Sequence, residues 1–179
     1  MRWSVVGAPA LLAGVVLVVD LLTKELVRAT LGPGTGRGTI ELIGRALALE
    51  YVENRGAAFG LFPGQGPLLT VLAVVVLGGL VWYYAGSGER SRWLVLGVGL
   101  IVGGALGNLG DRLRHGFVTD FVAVGAWPRF NVADSAITVG VVCLLLHALV
   151  EPDRLAGHEA AASAETRGES REVTGVGDG

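Results

Sequence analysis

Two aspartates frame the chemistry open to this chain. Asp120 lies in "VTDFV" (118–122) and Asp134 in "FNVADSAI" (130–137), with the turn-forming "GAWP" between them. Such a turn brings the chain back on itself and the two carboxyls toward one place. Two carboxyls held close in a low-dielectric pocket cannot both ionise easily, so one keeps its proton near neutral pH. The charged one then takes a proton from water while the protonated one donates to a carbonyl oxygen. That arrangement cleaves a peptide with neither metal nor covalent intermediate. A structural reading stands beside it. Asn131 has the character of an N-cap, and Asp134 three residues on matches the acid of a capping box, favoured there by the helix dipole. Asp120 on its own reads as an ordinary loop acid.

Other polar groups compete for the chemistry. Asp20, Asp111, Asp120 and Asp134 fall at or near the ends of apolar runs, where an ionisable group is costly unless compensated and so marks a functional site by default. Asp20 and Lys24 have the i, i+4 spacing of a helix surface ion pair, a structural role. Asp111 and Arg112 read as anchors of a helix end at the membrane interface. Lys24 is the only lysine, and Ser135 or Thr138 near the same surface would make a serine–lysine dyad with it. That dyad leaves the clustered acids and asparagines without work. His115, His147 and His158 fall in a loop, a span end and the tail, too scattered for a metal site, and no cofactor is expected. Cys143, inside an apolar run, offers no disulfide framework and reads as a small buried apolar residue.

The elements that must position these groups are membrane-like. Across 179 residues, 51% are hydrophobic and 17% charged, with a mean hydropathy of +0.58, which points to an integral membrane protein. A net charge of −2 without a basic stripe argues against a nucleic-acid partner. Four stretches approach the roughly 20 apolar residues needed to cross a hydrocarbon core: residues 3–22, 67–85, 93–109 and 132–150. The first follows "MR" but lacks a convincing cleavage site and carries Asp20 at its far end, so it reads as a retained span. In the third, Gly99, Gly103 and Gly107 repeat at the spacing that lets another helix approach closely. The expected fold is an all-α membrane protein, a four-helix transmembrane bundle with a small antiparallel sheet in the first long loop. There "LALEYVENRGAAFG" alternates, with Leu47, Leu49 and Tyr51 toward one side. Residues 1–150 form the membrane domain, and the polar tail 151–179 reads as disordered. Four spans put the end of the first, the end of the third and the start of the fourth in one layer. Asp20, Asn108, Asp111, Arg112, Asn131 and Asp134 therefore converge. Lys and Arg number six on the side of the termini and eight on the side of the long loops, so charge alone leaves the orientation open. An alternative use for such acids is proton relay in a membrane carrier; the small number of spans and the missing inverted repeat speak against it.

"DLLTK" (20–24), "ENRGAAFG" (53–60), "GGALGNLGDRL" (103–113), "VTDFV" (118–122) and "FNVADSAI" (130–137) resemble, in this order, the signature segments of the lipoprotein signal peptidases, also called signal peptidase II. Five segments in order across four spans are far more specific than any one of them. One departure is Gly110, where a bulkier residue would be expected. The resemblance implies a bacterial inner-membrane aspartyl protease that removes signal peptides from prolipoproteins, cutting N-terminal to a cysteine that already carries diacylglycerol. It implies Asp120 and Asp134 as the catalytic dyad. Asn54, Asn108, Arg112 and Asn131 then position the substrate or support the dyad, and Asp20 is a sensitive position. It further implies termini in the cytoplasm and the active site near the outer leaflet; a monomer among membrane lipids is expected. A lipid-anchored substrate places its scissile bond at the membrane surface, which makes the cut effectively intramolecular. Arg112 would meet polar lipid groups or a backbone carbonyl, Asn54 would donate to the peptide, and Trp127 and Phe59 would line the entrance.

Overall fold

The computed structural model describes residues 3–44, 46–56, 66–88 and 91–150, with the side chains of 3–6, 66 and 69 excepted. Phe59 and the tail 151–179 lie outside them. In chain order the elements are α1 (Trp3–Leu31), β1 (Ile40–Ile43), β2 (Leu47–Asn54), α2 (Gly66–Ser87), α3 (Arg92–His115), β3 (Val118–Val124) and α4 (Val132–Val150). The chain divides into two compact units, Met1–Leu144 and Leu145–Gly179, and the residues that carry the chemistry belong to the first. Among the described residues, three helical stretches are long and apolar enough to cross a membrane: Thr70–Ser87, Arg92–His115 and Val132–Val150. Large apolar side chains such as Leu11, Val75 and Trp82 stand exposed on their helices, the inverse of a soluble surface.

Two helices outrun their apolar stretches. α1 continues past Leu22 to Leu31 because one face stays buried through Asp20, Lys24, Val27 and Leu31 while Leu22 and Leu26 on the other face are exposed. α3 continues past Leu109 to His115 and stops at Gly116, whose left-handed backbone (φ 78°) lets its N–H reach the carbonyl of Arg112. Asp111 and Arg112 are therefore helical residues and not part of a loop.

The glycines of α3 set the packing on two faces. A Cβ at Gly99 would meet Leu12, and one at Gly103 would lie 2.6 Å from the carbonyl oxygen of Ala13, both on α1. On the other face a Cβ at Gly104 would lie 2.5 Å from the carbonyl oxygen of Ala133 on α4. The small-residue spacing does serve close helix approach. Gly110 is different: a Cβ there meets nothing within 4 Å, so a bulkier residue would fit and its absence leaves the packing intact.

The sheet is antiparallel, in the order β1-β2-β3. Its first two strands come from the expected loop. The third comes from the second long connection, between α3 and α4, so the sheet is not confined to the first loop. β2 and β3 pair Leu49 with Val122 and Val52 with Asp120, with a shift of register between; one extra β2 residue there is a bulge of the kind found beside functional sites. Alternation does the rest. Phe121 packs with Val27 and Leu31 of α1, joined by Leu49 and Tyr51 of β2, while Asp120 is turned to the opposite face.

Candidate active site

Asp120 and Asp134 reach one cavity from different elements. The cavity holds about 610 Å³ and is lined by Asn54, Asn108, Arg112, Asp120, Trp127 and Asp134 among others. β3 presents Asp120 and the first turn of α4 presents Asp134. Both readings of Asp134 are realised together. Asn131 Oδ1 accepts from the N–H of Asp134 at 2.9 Å, and the N–H of Asn131 donates to Asp134 Oδ2 at 3.2 Å, a reciprocal capping box. The box fixes the carboxyl and leaves its other oxygen to accept from Asn108 Nδ2 at 2.8 Å.

Asn131 also holds the second acid. Its Nδ2 donates to Asp120 Oδ1 at 2.8 Å, and Asn54 Nδ2 donates to Asp120 Oδ2 at 2.9 Å. One buried asparagine thus holds both carboxyls, Asp134 through its backbone N–H and Asp120 through its side-chain nitrogen, while its side-chain oxygen takes the N–H of Asp134. Asp120 is only 2% exposed. Burial pushes its pKa up to about 7 and the neighbouring charge of Asp134 adds to the rise, against the opposing amide hydrogen bonds and the charge of Lys24. The raised pKa lets Asp120 hold a proton near neutral pH.

Behind this pair lies a dry charge network. Lys24 and Asp20 are both fully buried, with Lys24 Nζ 2.7 Å from Asp20 Oδ2. The i, i+4 pairing is as the spacing implied, but it is not on the surface. Asp20 Oδ1 accepts from the N–H of Ala133 at 2.9 Å, so α1 caps α4 across α3. A Cβ at Gly107 would fall on the Asp20 carboxylate; the glycine makes that passage possible. Asp111 is buried as well, not an interfacial anchor. It lies 3.3 Å from Lys24 Nζ, pairs with Arg28 and accepts the N–H of Thr119 at 3.0 Å, one residue before Asp120. Lys24 Nζ also donates to Asn108 Oδ1 at 2.9 Å. With its oxygen taken there, the Asn108 amide can only turn its nitrogen to Asp134.

The sequence-predicted residues therefore separate into two layers. Asn54, Asn108, Arg112, Asp120 and Asp134 line the cavity, as does Trp127. Asn131 and Asp20 are fully buried behind it. The Arg112 side chain makes no hydrogen bond to another described residue, and its charge acts on Asp134, Asp120 and Asp111. The serine–lysine dyad finds no geometry. Lys24 Nζ is engaged inside the network, Ser135 Oγ donates to the carbonyl of Asn131 at 3.0 Å, and Thr138 Oγ1 donates to that of Asp134 at 2.8 Å. Sequence reasoning missed Arg28, whose Nε donates to Thr119 Oγ1 at 3.0 Å, and the pairing of Glu50 with Arg129. Neither pair leaves a signal in spacing, because each joins residues far apart in the chain.

The family described as signal peptidase (SPase) II matches residues 12–150. The lipoprotein signal peptidase of Rhodococcus jostii is 48% identical over 150 residues, covering 79% of this chain and 73% of that protein. That of Syntrophomonas wolfei is 46% identical over 139 residues, covering 78% and 91%. A bacterial membrane enzyme solved by the in meso method at 2.3 Å superposes with a TM-score of 0.75 at 29% identity, over 82% of this chain and 90% of that one. A second, solved at 1.9 Å, gives 0.71 at 30% identity, over 81% and 94%.

Proposed function

This chain belongs to the signal peptidase II family, and from that premise we propose that it is a membrane-embedded aspartic endopeptidase that removes signal peptides from prolipoproteins, cutting N-terminal to a diacylglyceryl-modified cysteine. The observation that carries the reading is the Asn131 bracket, which holds Asp120 and Asp134 at one cavity. Asp120 keeps the proton and donates it to the carbonyl oxygen of the scissile bond. Asp134 takes a proton from the attacking water and passes it to the leaving amine as the C–N bond breaks, while Asp120 regains its own from the hydroxyl of the intermediate. Neither step needs a further group, because each acid already has its orientation fixed by neutral amides. Arg112, on the same cavity wall, supplies positive charge for the substrate's backbone carbonyl or for polar groups of its lipid.

The same reading gives the membrane placement. The helix α1, with Leu11, Val15, Val18 and Leu22 exposed, serves as a fourth span beside the three apolar stretches. Termini then lie in the cytoplasm, the cavity lies near the outer leaflet, and the protein works as a monomer among lipids. A diacylglyceryl chain held in the bilayer presents the peptide to that cavity, so lipid binding supplies part of the orientation that catalysis requires. A proton-coupled carrier would use the same acids as a relay, but here they gather at a single cavity.

The test is cleavage of a lipidated precursor by the purified protein. The wild type cuts it without added metal, while Asp120→Asn and Asp134→Asn remain folded and do not. Cutting that survives either substitution removes the proposal.

A further inference from the structure

The link between β3 and α4 forms a turn that stands over the cavity. After Val124 the chain bends at Gly125 (φ 49°), and the N–H of Trp127 returns to the carbonyl of Val124 at 2.8 Å. It rejoins β3 at Phe130, whose carbonyl accepts from Val122 at 2.8 Å. Trp127, Pro128, Arg129 and Phe130 from this turn line the cavity.

Two ties reach beyond β3 to the chain around β2. One is a backbone hydrogen bond from Gly125 to Ala46 at 3.1 Å. The other is an ion pair in which Arg129 uses two nitrogens on both oxygens of Glu50, Nη2 to Oε1 at 2.8 Å and Nε to Oε2 at 3.2 Å. The two-point geometry fixes direction as well as distance. Both side chains remain partly exposed, Arg129 at 36% and Glu50 at 25%. A pair in that setting is weak as a staple for the fold and sensitive to salt. Glu50 does not line the catalytic cavity; it lines a second hollow of about 250 Å³ on the sheet, and Arg129 borders both.

We infer that the Glu50–Arg129 ion pair is a positioning device for substrate binding: it holds the 125–130 turn against β2 and so sets the wall that Trp127, Pro128 and Phe130 present to the precursor. It acts on affinity and not on the proton transfers, because neither residue bonds to Asp120, Asp134 or the asparagines that orient them among the described residues. The inference rests on the reading of the cavity as the precursor site of a peptidase.

The test uses the full chain in detergent with a synthetic lipidated precursor. Glu50→Gln removes the pair without altering a residue of the cavity. KM should rise about two- to fivefold, the range of one partly exposed ion pair, with kcat within twofold. Added salt should raise the wild-type KM and leave that of Glu50→Gln unchanged. Arg129 borders the cavity, so the pair is tested from its other side: Glu50→Ala should raise KM by as much as Glu50→Gln, since each removes the pair and neither touches the cavity. A KM for Glu50→Gln equal to wild type overturns the inference, as does a fall in kcat at constant KM. So does a salt dependence of KM that Glu50→Gln keeps in full. These outcomes are separate from failure of the peptidase reading, which shows as a wild type that does not cut or an Asp120→Asn variant that does.

Discussion

Two groups of charged side chains lie back to back across Asn108 and Asn131, and they are built on opposite principles. In the rear group Asp20 and Asp111 are set against Lys24 and Arg28, and the two carboxylates also take backbone N–H groups, from Ala133 and Thr119 respectively. In the front group two acids face one cavity, and among the described residues neither has an ion-pair partner; they accept from the amides of Asn54, Asn108 and Asn131 and, at Asp134, from the N–H of Asn131. Opposite charges set against one another in a dry site hold α1 to α3, which suits a support. Like charges held by neutral donors keep a proton in contention, which suits catalysis. The asparagines join the two regimes, since Lys24 orients Asn108 and Asn108 orients Asp134.

The sharpest break between the groups is in turnover. Asp120→Asn and Asp134→Asn each remove an acid–base group, and kcat should fall by about 10² to 10⁴-fold with the circular dichroism of the folded protein retained. An equivalent loss from Lys24→Met with full stability would place Lys24 in the chemistry and erase the distinction.

Stability is where the rear group should dominate. Lys24→Met leaves Asp20 and Asp111 buried with one cation fewer, and loss of one member of a buried ionic set costs about 3–5 kcal/mol. Unfolding in micelles followed by heat or denaturant measures it. Adding Asp20→Asn should recover part of the loss, because one uncompensated charge goes with it. A double variant no better than Lys24→Met would show that the charges do not offset each other.

The pH profile tests the front group directly. Asp120 must carry its proton to act, and its pKa is raised to about 7 by burial and by Asp134. Activity is thus lost as pH rises through about 7, and an acid limb appears where the pair takes up its second proton; both limbs belong to the coupled pair. Asn54 donates to the charged form of Asp120, so Asn54→Ala should move the basic limb to higher pH. A shift of about one unit corresponds to ~1.4 kcal/mol, near the low end for a hydrogen bond to a charged group. A limb that stays in place, or moves down, would detach Asn54 from the acid.

Short-range patterns in the sequence carried the parts of this design that are local. The capping box at Asn131 and Asp134, the bounds of α4 and the close-packing glycines of α3 are all written within one or two helical turns. The third strand was not legible, because "VTDFVAV" (118–124) pairs with residues 47–54, far upstream, and nothing local names that partner. Nor was the polar extension of α1, where hydropathy ends at Leu22 but the buried face runs on through Lys24 to Leu31. The burial of Lys24 is a tertiary fact: the same i, i+4 spacing with Asp20 serves equally on a wet surface, and only the passage opened by Gly107 makes it dry.

Two glycines one turn apart on α3 give the finest probe of that passage. Gly107 lies where Asp20 crosses to α4, and a methyl there would meet the carboxylate that caps Ala133. Gly110 has nothing within 4 Å of its Cβ position. Gly107→Ala should therefore displace Asp20 and destabilise the protein. In Gly110→Ala the same change should raise the melting temperature slightly, since alanine gains up to about 1 kcal/mol over glycine inside a helix when no contact opposes it. Paired unfolding curves in one detergent measure both. Equal shifts in the two variants would mean that helix propensity alone governs α3. Opposite signs would tie the rear network to the single residue that gives it room.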